Sequence, residues 1–389
     1  MRDNNTSIIN SINTRDDKEK FKGSYNFEIT TTPGCDLNCT YCFEGKKAID
    51  NNVVNGRIPE TISKIDEILS SEWFNEEYSI LTVDFWGGEP TLNSTIISKI
   101  ISHYDKNDKV QYHMYTNAYN IKTAQNLLNN ISEQAKQKFS IQVSYDGRAI
   151  NDRFRLTYTG KTSSDQVLET FDWLYKQNLQ SLSLKSTLPL DGIKHMSDVW
   201  DEFKELAEKY KNINILYSPT IDYHTQNENS DEYFEIFKKE IRKIAKKEIE
   251  YVKEHEKFLM SWFCGDDTRI TCTSGKNMSI LDVDNNIYPC HGVLYMDNKE
   301  DFKITSLKDD IKNINIERMK FSKLISLKNE ECEKCIATTC LVCPTASYEF
   351  SKKDTFDDRW LDRQSHGLCK YFKEFGKIDR AIFHKLKLN

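Results

Sequence analysis

Residues 31–44 read Thr-Thr-Pro-Gly-Cys-Asp-Leu-Asn-Cys-Thr-Tyr-Cys-Phe-Glu, and this stretch decides the fold of the 389-residue chain. Its three cysteines, Cys35, Cys39 and Cys42, lie on a short loop after the strand-like run 25–31. Their C-x3-C-x2-C spacing allows one loop to wrap a cuboidal four-iron cluster with three thiolates. One iron is then left without a side-chain ligand and can bind and activate a small molecule, whereas four thiolates would give a closed electron carrier.

The cysteine spacing, with Tyr41 just before the last cysteine, resembles the radical S-adenosylmethionine (radical SAM) superfamily. The resemblance implies that the open iron chelates SAM and that an electron from the cluster cleaves SAM to a 5′-deoxyadenosyl radical. It also places Tyr41 among the cofactor-binding residues. A zinc site and three unrelated core cysteines are the alternatives. Zinc ribbons favour paired C-x2-C elements and four ligands, and buried cysteines have no reason to keep this spacing.

The composition indicates a protein of the reducing cytoplasm. The net charge is −6 and the basic residues are mixed with acidic ones, so no basic field for nucleic acid is expected. The amino terminus has no apolar signal region, and no apolar run approaches the length of a membrane span. Eleven cysteines without a secretion signal indicate metal binding rather than a disulfide framework.

Short β-rich runs alternate with amphipathic helical stretches between about residues 25 and 222, which predicts an α/β fold with a parallel sheet. Six units are too few to close an eight-stranded barrel. The resemblance to the radical SAM superfamily implies that these six units form a partial (β/α)6 TIM-type barrel instead. The predicted strands are 25–31, 79–86, 110–116, 139–145, 181–187 and 213–218, and the predicted helices are 58–69, 94–104, 123–136, 164–176 and 196–210.

The chain divides into five predicted segments. A long connecting helix is expected because apolar residues recur near a helical period from Phe234 to Val252. The cysteine-rich region after it is poor in regular apolar faces and is expected to depend on metal for its fold. The segments are an extension over 1–24, the barrel over 25–230, the connecting helix over 231–262, a cysteine-rich domain over 263–372 and a tail over 373–389.

The second predicted strand runs into Trp86-Gly87-Gly88-Glu89-Pro90. Paired glycines after a strand permit close backbone approach, and a carboxylate at this rim lies where parallel barrels place their active sites. Alone, this is a weak turn signal. One βα unit after the cysteines it looks like the GGEP motif of the family, which implies that Gly87, Gly88, Glu89 and Pro90 recognise the amino group of SAM.

Later strand ends give softer matches to the family. Asn117 follows the third strand, and Ser144 ends the fourth, where related enzymes often carry a ribose-binding residue. Arg155 completes a D-x-x-R pattern whose arginine meets the SAM carboxylate, a suitable role for a bidentate guanidinium. The alternatives are ordinary turns and, for Arg155, a surface ion pair.

A second array of eight cysteines lies between Cys264 and Cys369, and it includes a predicted β-hairpin ending at Cys290. The array resembles the SPASM extension of some radical SAM enzymes, although Asn286 stands where that hairpin has glycine. The resemblance implies two auxiliary four-iron clusters, with Cys264 as the weakest ligand, whereas paired C-x2-C elements alone also fit zinc knuckles. One cluster is assigned to Cys264, Cys272, Cys290 and Cys343, and the other to Cys332, Cys335, Cys340 and Cys369.

SPASM-bearing enzymes mostly modify peptide or protein side chains, so the predicted reaction is maturation of a ribosomal peptide through a thioether or carbon crosslink. Formylglycine formation of the anaerobic sulfatase-maturase type and action on a small molecule stay open. The maturases follow the hairpin cysteine with an aspartate, whereas this chain has His291. A histidine there could accept a proton or donate to a cluster sulfur, so the sequence identifies no catalytic base.

The expected partners follow from this reaction. Reductive cleavage of SAM requires an external electron donor of the flavodoxin or ferredoxin type. Only about 24 residues precede the barrel, too few for the leader-binding domain of many peptide maturases. The leader of a peptide substrate is therefore expected to bind a separate protein or the barrel and SPASM surfaces.

Overall fold

A computed structural model describes residues 22–42, 44, 50–217, 230–260, 273–296, 299–310, 314–315, 334–337 and 369–386. Six strands follow one another in chain order across the sheet, and each pairs in parallel with the next. The α/β fold with six βα units is as predicted. The strands are β1 Ser24–Thr32, β2 Ile80–Gly87, β3 Val110–Thr116, β4 Phe139–Ser144, β5 Ser181–Ser186 and β6 Asn214–Tyr217.

Helices and short helical turns connect these strands. In the first half they are α1 Asn51–Gly56, α2 Ile58–Ser70, α3 Glu72–Glu77, a 3-10 turn Pro90–Asn93 and α4 Ser94–His103. In the second half they are α5 Ile121–Asn129, α6 Glu133–Lys136, α7 Arg148–Phe154, α8 Ser164–Tyr175, a 3-10 turn Leu190–His195 and α9 Met196–Lys209.

The helix predicted over residues 123–136 is two helices, α5 and α6. The Asn130 N–H bonds to the Leu127 carbonyl at 3.1 Å and ends α5. The hydroxyl of Ser132 accepts from the Ala135 N–H at 3.0 Å and caps α6. The apolar period continues across the break, so it could not reveal these two caps.

The two faces of the six strands differ in polarity. One face is apolar and packs under the helices, with Phe27, Phe85, Tyr112, Ile141 and Leu184 among its buried residues. The other face encloses the lumen of the barrel. On β3 to β6 its residues, apart from the buried Ser140, are only partly buried, and most are polar: Gln111, His113, Tyr115, Gln142, Ser144, Ser181, Ser183, Lys185, Asn214 and Leu216. An alternating strand pattern therefore gives an apolar layer outside and a polar, accessible lumen inside.

A hairpin from the C-terminal half extends the barrel sheet. Strand β7 Met278–Leu281 pairs in parallel with β1, and β8 Asn286–Tyr288 and β9 Thr305–Ser306 follow antiparallel. The predicted hairpin is confirmed, but the left-handed residue in its turn is Asn285, with φ 69°, and Asn286 begins β8. The sheet is therefore continuous from the barrel into the C-terminal half.

Buried polar contacts attach this hairpin to the barrel. The Tyr25 and Ser279 hydroxyls lie 2.7 Å apart. The Arg57 guanidinium, 4% exposed, donates to the Thr30 carbonyl at 2.7 Å and also to the Asp282 carbonyl. Arg57 therefore bridges β1 and the hairpin.

Two further helices pack beside the barrel. The long helix α10 Ser230–His255 has the predicted apolar face, with Phe237, Ile241 and Ile244 buried. Helix α11 Cys369–Leu386, which the sequence analysis did not identify, packs on α10 through contacts such as Phe237 with Tyr371. Within the described ranges, no helix has the length and apolar character needed to cross a membrane.

Candidate functional site

The predicted site residues meet at one end of the barrel. The cysteine loop follows β1, the Gly87-Gly88 turn follows β2, and Asn117 follows β3. Because the carboxyl ends of parallel strands lie at one edge, these loops share a rim. The structure therefore brings together the candidates that the sequence places at the ends of β1 to β4.

The cysteine loop is held by backbone contacts to the segment after α7. The Asn38 N–H bonds to the Leu156 carbonyl at 2.7 Å, and the Thr40 N–H bonds to the Phe154 carbonyl at 2.9 Å. Cys35 and Cys39 are partly exposed and Cys42 is exposed. This exposure contradicts the alternative of three core cysteines.

The surroundings of the sulfur atoms fit thiolates bound to a cluster. The Cys35 sulfur accepts from the Leu37 N–H at 3.5 Å and from the Asn117 amide at 3.4 Å. The Arg155 guanidinium lies 4.0 Å from the Cys39 sulfur. Burial and the Glu89 charge raise the pKa of Cys35, so a bound cation would be needed to hold its thiolate.

The described residues do not resemble a site for a single metal ion. No three Cys, His, Asp or Glu side chains in the described parts of the chain converge closely enough to hold one. A four-iron cluster needs no such convergence, because each of its thiolates binds a different iron.

The two glycines after β2 are required by close backbone contacts. Gly87 has φ 133°, and a Cβ there would lie 2.2 Å from the Thr32 carbonyl oxygen. A Cβ on Gly88 would lie 2.3 Å from the Gly34 oxygen. The Gly88 N–H bonds to Thr32 at 3.0 Å and the Glu89 N–H bonds to Gly34 at 2.8 Å. The turn after β2 therefore fixes the start of the cysteine loop.

Glu89 is buried, and its carboxylate joins the turn after β2 to the end of β3. Its carboxylate accepts from the Thr91 N–H at 3.0 Å, the Thr91 hydroxyl at 2.7 Å, the Thr116 hydroxyl at 2.8 Å and the Asn117 N–H at 2.7 Å. Burial and the nearby Asp36 raise the pKa of Glu89 to about 7. The adjacent Pro90 is buried and begins the 3-10 turn. Most of the acceptor capacity of Glu89 is thus used by the protein itself.

Asp146 is the centre of a second group of hydrogen-bonded side chains on the rim. The sequence only partly indicated this group. Its carboxylate accepts from Arg155 Nε at 2.7 Å, from the Thr187 N–H at 2.7 Å and from the Tyr41 hydroxyl. The Arg155 guanidinium lies 5.4 Å from the centre of the Tyr41 ring. Arg155 is therefore partnered inside the protein, which contradicts the alternative of a surface ion pair.

Asn117 and Ser144 lie on the same rim as the hydrogen-bonded groups around Glu89 and Asp146. The Asn117 amide donates to Asp36 at 2.8 Å as well as to Cys35. Burial raises the pKa of Asp36, and one of its oxygens is buried with no hydrogen-bond partner. Ser144 ends β4 and pairs in register with Lys185 on β5. The predicted polar residues of β3 and β4 therefore face the same edge of the lumen.

The sequence analysis missed two carboxylate–histidine pairs inside the barrel. His113 Nδ1 lies 3.0 Å from Asp84, and His291 Nδ1 lies 3.0 Å from Glu28. The His291 ring also stacks on Trp86 with centroids 4.2 Å apart. Burial favours neutral His291, but the charges of Glu28 and its acidic neighbours together raise its pKa. Alternation along β1, β2 and β3 places Glu28, Asp84 and His113 on the inner face, but no sequence motif pairs them, and His291 lies outside these strands.

The second cysteine array is described only in part. Cys290 is buried directly after β8, Cys335 lies in the short range 334–337, and Cys369 begins α11. The other predicted ligands, Cys264, Cys272, Cys332, Cys340 and Cys343, lie outside the described residues.

Comparisons with known proteins agree with this geometry. Residues 29–209 match the radical SAM superfamily. A cysteine-type anaerobic sulfatase-maturating enzyme of Clostridium perfringens is 24% identical over 373 residues, covering 88% of this chain and 92% of that enzyme. The radical SAM cyclopropyl synthase TigE of Paramaledivibacter caminithermalis is 24% identical over 47% of this chain and 39% of TigE. An uncharacterised protein of Methanocaldococcus jannaschii is 30% identical over 38% of this chain. The chain covers 39% of TigE and 46% of the M. jannaschii protein, which is less than half of the length of each.

Solved structures share the fold. Native anSMEcpe with bound AdoMet and Cp18Cys peptide superimposes with a TM-score of 0.67 at 18% identity, covering 94% of this chain and 99% of that one. Streptococcus suis SuiB bound to precursor peptide SuiA gives a TM-score of 0.55 at 13% identity, covering 87% and 76%. Residues 29–209, which hold the three cysteines and the glycine turn, therefore form a radical SAM domain, and the chain is an enzyme.

Proposed function

We propose that this enzyme binds SAM on a four-iron cluster held by Cys35, Cys39 and Cys42 and modifies a side chain of a peptide or protein. The observation that carries the proposal is the shared rim, where donors surround the Cys35 sulfur beside the Gly87-Gly88 turn. When bound, the cluster and SAM supply the electron and the 5′-deoxyadenosyl radical that abstracts hydrogen from the substrate.

The protein residues position these groups. Glu89 orders Thr116 and Asn117, and Asn117 in turn donates to Cys35. Gly87 and Gly88 let the turn after β2 pack closely on Thr32 and Gly34, and this turn is assigned to the amino group of SAM. Tyr41 binds Asp146 through its hydroxyl, and Arg155 lies over its ring. Ser144 faces the same lumen and is assigned to SAM on the same grounds.

The C-terminal half is proposed to be a SPASM domain with two auxiliary clusters, using the two sets of four cysteines given above. The β7–β8 hairpin ending at Cys290 supports this assignment. Joining that hairpin to β1 brings Cys290 to the edge of the barrel, where electrons can pass between substrate and an auxiliary cluster. The predicted segment boundaries and the external flavodoxin or ferredoxin belong to the same proposal.

The proposed substrate is a ribosomal peptide that receives a thioether or carbon crosslink. The fold is shared with SuiB bound to its precursor peptide and with anSMEcpe bound to a peptide. The partly exposed inner faces of β3 to β6 offer mostly polar side chains, which suit a peptide with many backbone amides. A separate leader-binding protein is proposed as a partner of this reaction.

Formylglycine formation is the second candidate. The observation that favours it is the similarity to the C. perfringens sulfatase-maturating enzyme over 88% of this chain. The observation against it is His291, where those maturases have an aspartate. Its Nδ1 is bound to Glu28.

The cofactor proposal is tested by anaerobic reconstitution. Three four-iron clusters predict about 12 iron atoms per chain, and dithionite with SAM should yield 5′-deoxyadenosine. A C35A/C39A/C42A variant should lose about four irons and all deoxyadenosine while retaining the auxiliary iron. A wild-type protein that is fully loaded with iron and never cleaves SAM would refute the proposal.

The substrate proposal is tested by the mass of the product. A crosslinked peptide is lighter by two hydrogen atoms. Formylglycine formation from cysteine also removes two hydrogens but exchanges sulfur for oxygen. Cysteine-containing peptides encoded beside the gene are the probes, and a product formed without any peptide would indicate a small-molecule enzyme instead.

A further inference from the structure

Two buried carboxylates lie side by side on the inner face of the first two strands. Glu28 on β1 pairs in register with Asp84 on β2, and Asp84 pairs with His113 on β3. Side chains alternate along a strand, and the neighbours Phe27 and Phe85 pack in the core, so these three side chains face the lumen. The side chains of Glu28 and Asp84 are only 1% and 2% exposed. Like charges at paired positions of adjacent strands repel, so this placement needs compensation.

Histidines are the partners that the described residues supply for these carboxylates. His113 Nδ1 lies 3.0 Å from Asp84 Oδ1, and His291 Nδ1 lies 3.0 Å from Glu28. Strands β1, β2 and β3 contain no lysine or arginine. The second oxygen of Asp84, Oδ2, is buried and has no hydrogen-bond partner in the part of the chain that the structure describes. A buried carboxylate oxygen without a donor is costly, and a ligand that brings a donor removes that cost.

Aromatic rings lie beside the carboxylates on the side of the rim. Trp86 and Tyr115 are two residues closer to the rim than Asp84 and His113, on the same faces of β2 and β3. The Trp86 and Tyr115 ring centroids lie 4.9 Å apart, and the Tyr115 and His113 rings lie 4.4 Å apart. Burial and the charges of Asp84 and Glu28 raise the pKa of Tyr115, so its hydroxyl stays protonated. Together, Glu28, Asp84, His113, Trp86 and Tyr115 form the acidic pocket.

The unmatched groups of the acidic pocket fit a peptide residue that has a cationic side chain. An Nδ1–H donated to Asp84 leaves His113 Nε2 as a second acceptor beside Asp84 Oδ2. The Thr30 hydroxyl, which pairs in register with Trp86 and is 7% exposed, also has no partner among the described residues. An ammonium or guanidinium brings only donors, and its charge is attracted to the faces of aromatic rings. The buried Trp86 Nε1–H lacks an acceptor within the same described ranges, and a backbone carbonyl of the peptide would supply one.

We propose that the acidic pocket binds the cationic side chain of a lysine or arginine in the peptide substrate, with Asp84 as its ion-pair partner. This inference rests on the proposed function, since it requires a peptide in the lumen. His113 holds Asp84 in place through Oδ1, and Oδ2 receives the donor of the ligand. The neighbouring charge of Glu28 strengthens the attraction.

The test compares blocked pentapeptides in which glycines surround one central lysine, arginine or norleucine. Saturation-transfer NMR measures their binding to the reconstituted enzyme with SAM and without dithionite. The lysine or the arginine peptide should bind at least about 10-fold more tightly than the norleucine peptide. D84N should remove most of this preference and change norleucine binding by less than about twofold. The matched control is D198N, which removes the carboxylate of the surface pair His195–Asp198, where Asp198 is 73% exposed, and should bind like the wild type.

A second measurement uses the wild type alone. A cationic peptide should slow the modification of His113 by diethyl pyrocarbonate, as read by peptide mass, whereas the norleucine peptide should not, and His195 should react equally in all samples. Equal affinity for the three peptides, equal loss of all three in D84N, or equal protection of His113 would overturn the inference. If the wild type also fails to cleave SAM with dithionite, the proposed function has failed, whereas normal cleavage without a preference for cationic peptides refutes only the role of the acidic pocket.

Discussion

Replacing Gly88 with alanine should displace the cysteine loop. The new Cβ would lie 2.3 Å from the Gly34 oxygen and 2.6 Å from the Gly34 carbon, and both atoms are backbone. Since Cβ contacts under 3.0 Å essentially never occur, the two segments must separate by about 0.7 Å at least. The bond from the Glu89 N–H to the Gly34 carbonyl, 2.8 Å long, joins the same segments and opposes this movement.

Two magnitudes follow from this clash. Forced overpacking costs about 1–3 kcal/mol of folding free energy. Cys35 is the residue after Gly34, so its sulfur moves with the loop, and misplacement of a reacting group by about 1 Å can lower a rate roughly 100-fold. G88A should therefore fold with reduced stability and form 5′-deoxyadenosine far more slowly than the wild type.

The assay measures iron content, thermal denaturation and deoxyadenosine formation on the same reconstituted sample. Gly56 provides the matched control, because a Cβ there meets nothing within 4 Å, and G56A should behave like the wild type. If G88A retained the wild-type iron content and rate, the glycine turn would not set the position of the cysteine loop.

Three other changes have outcomes set by the structure. D146N should lower the unfolding free energy in urea by about 3–5 kcal/mol, because it leaves a buried guanidinium unpaired, whereas D165N, at an exposed pair, should have little effect. Burial raises the pKa of Glu248 from 4.5 to about 7. The protonated side chain therefore stabilises the folded state fully below pH 4.5, and this stabilisation is lost as pH rises through 7. Urea titrations of E248Q should lack this pH dependence. R57M should accelerate amide hydrogen exchange across residues 278–288 by about tenfold or more, and unchanged exchange would show that Arg57 does not hold the hairpin.

The sequence predicts the strands well because each carries its own period-2 pattern and ends at a turn residue. β3 lies over Val110–Thr116 as expected, and the other barrel strands differ by a residue or so at their ends. The break between α5 and α6 was missed because it depends on local caps at Asn130 and Ser132 rather than on the apolar period.

The site was predictable where spacing along the chain encodes it, as for Cys35 and the two glycines. The partners of Arg155 were not, because Asp146 meets Tyr41 across more than a hundred residues. The lumen residues Glu28, Asp84 and Lys185 carry no motif, and only the register of neighbouring strands brings them into one enclosure.

The pairing of β7 with β1 has a consequence for any fragment of this enzyme. A product ending before residue 278 would present β1 as an uncovered edge, with its backbone donors and acceptors ready to recruit a strand from another molecule. In a growing polypeptide that edge stays open until about 250 further residues have left the ribosome. Shortened versions intended to isolate the barrel should therefore self-associate, and keeping the chain through Ser306, so that β7, β8 and β9 stay paired, should reduce this association.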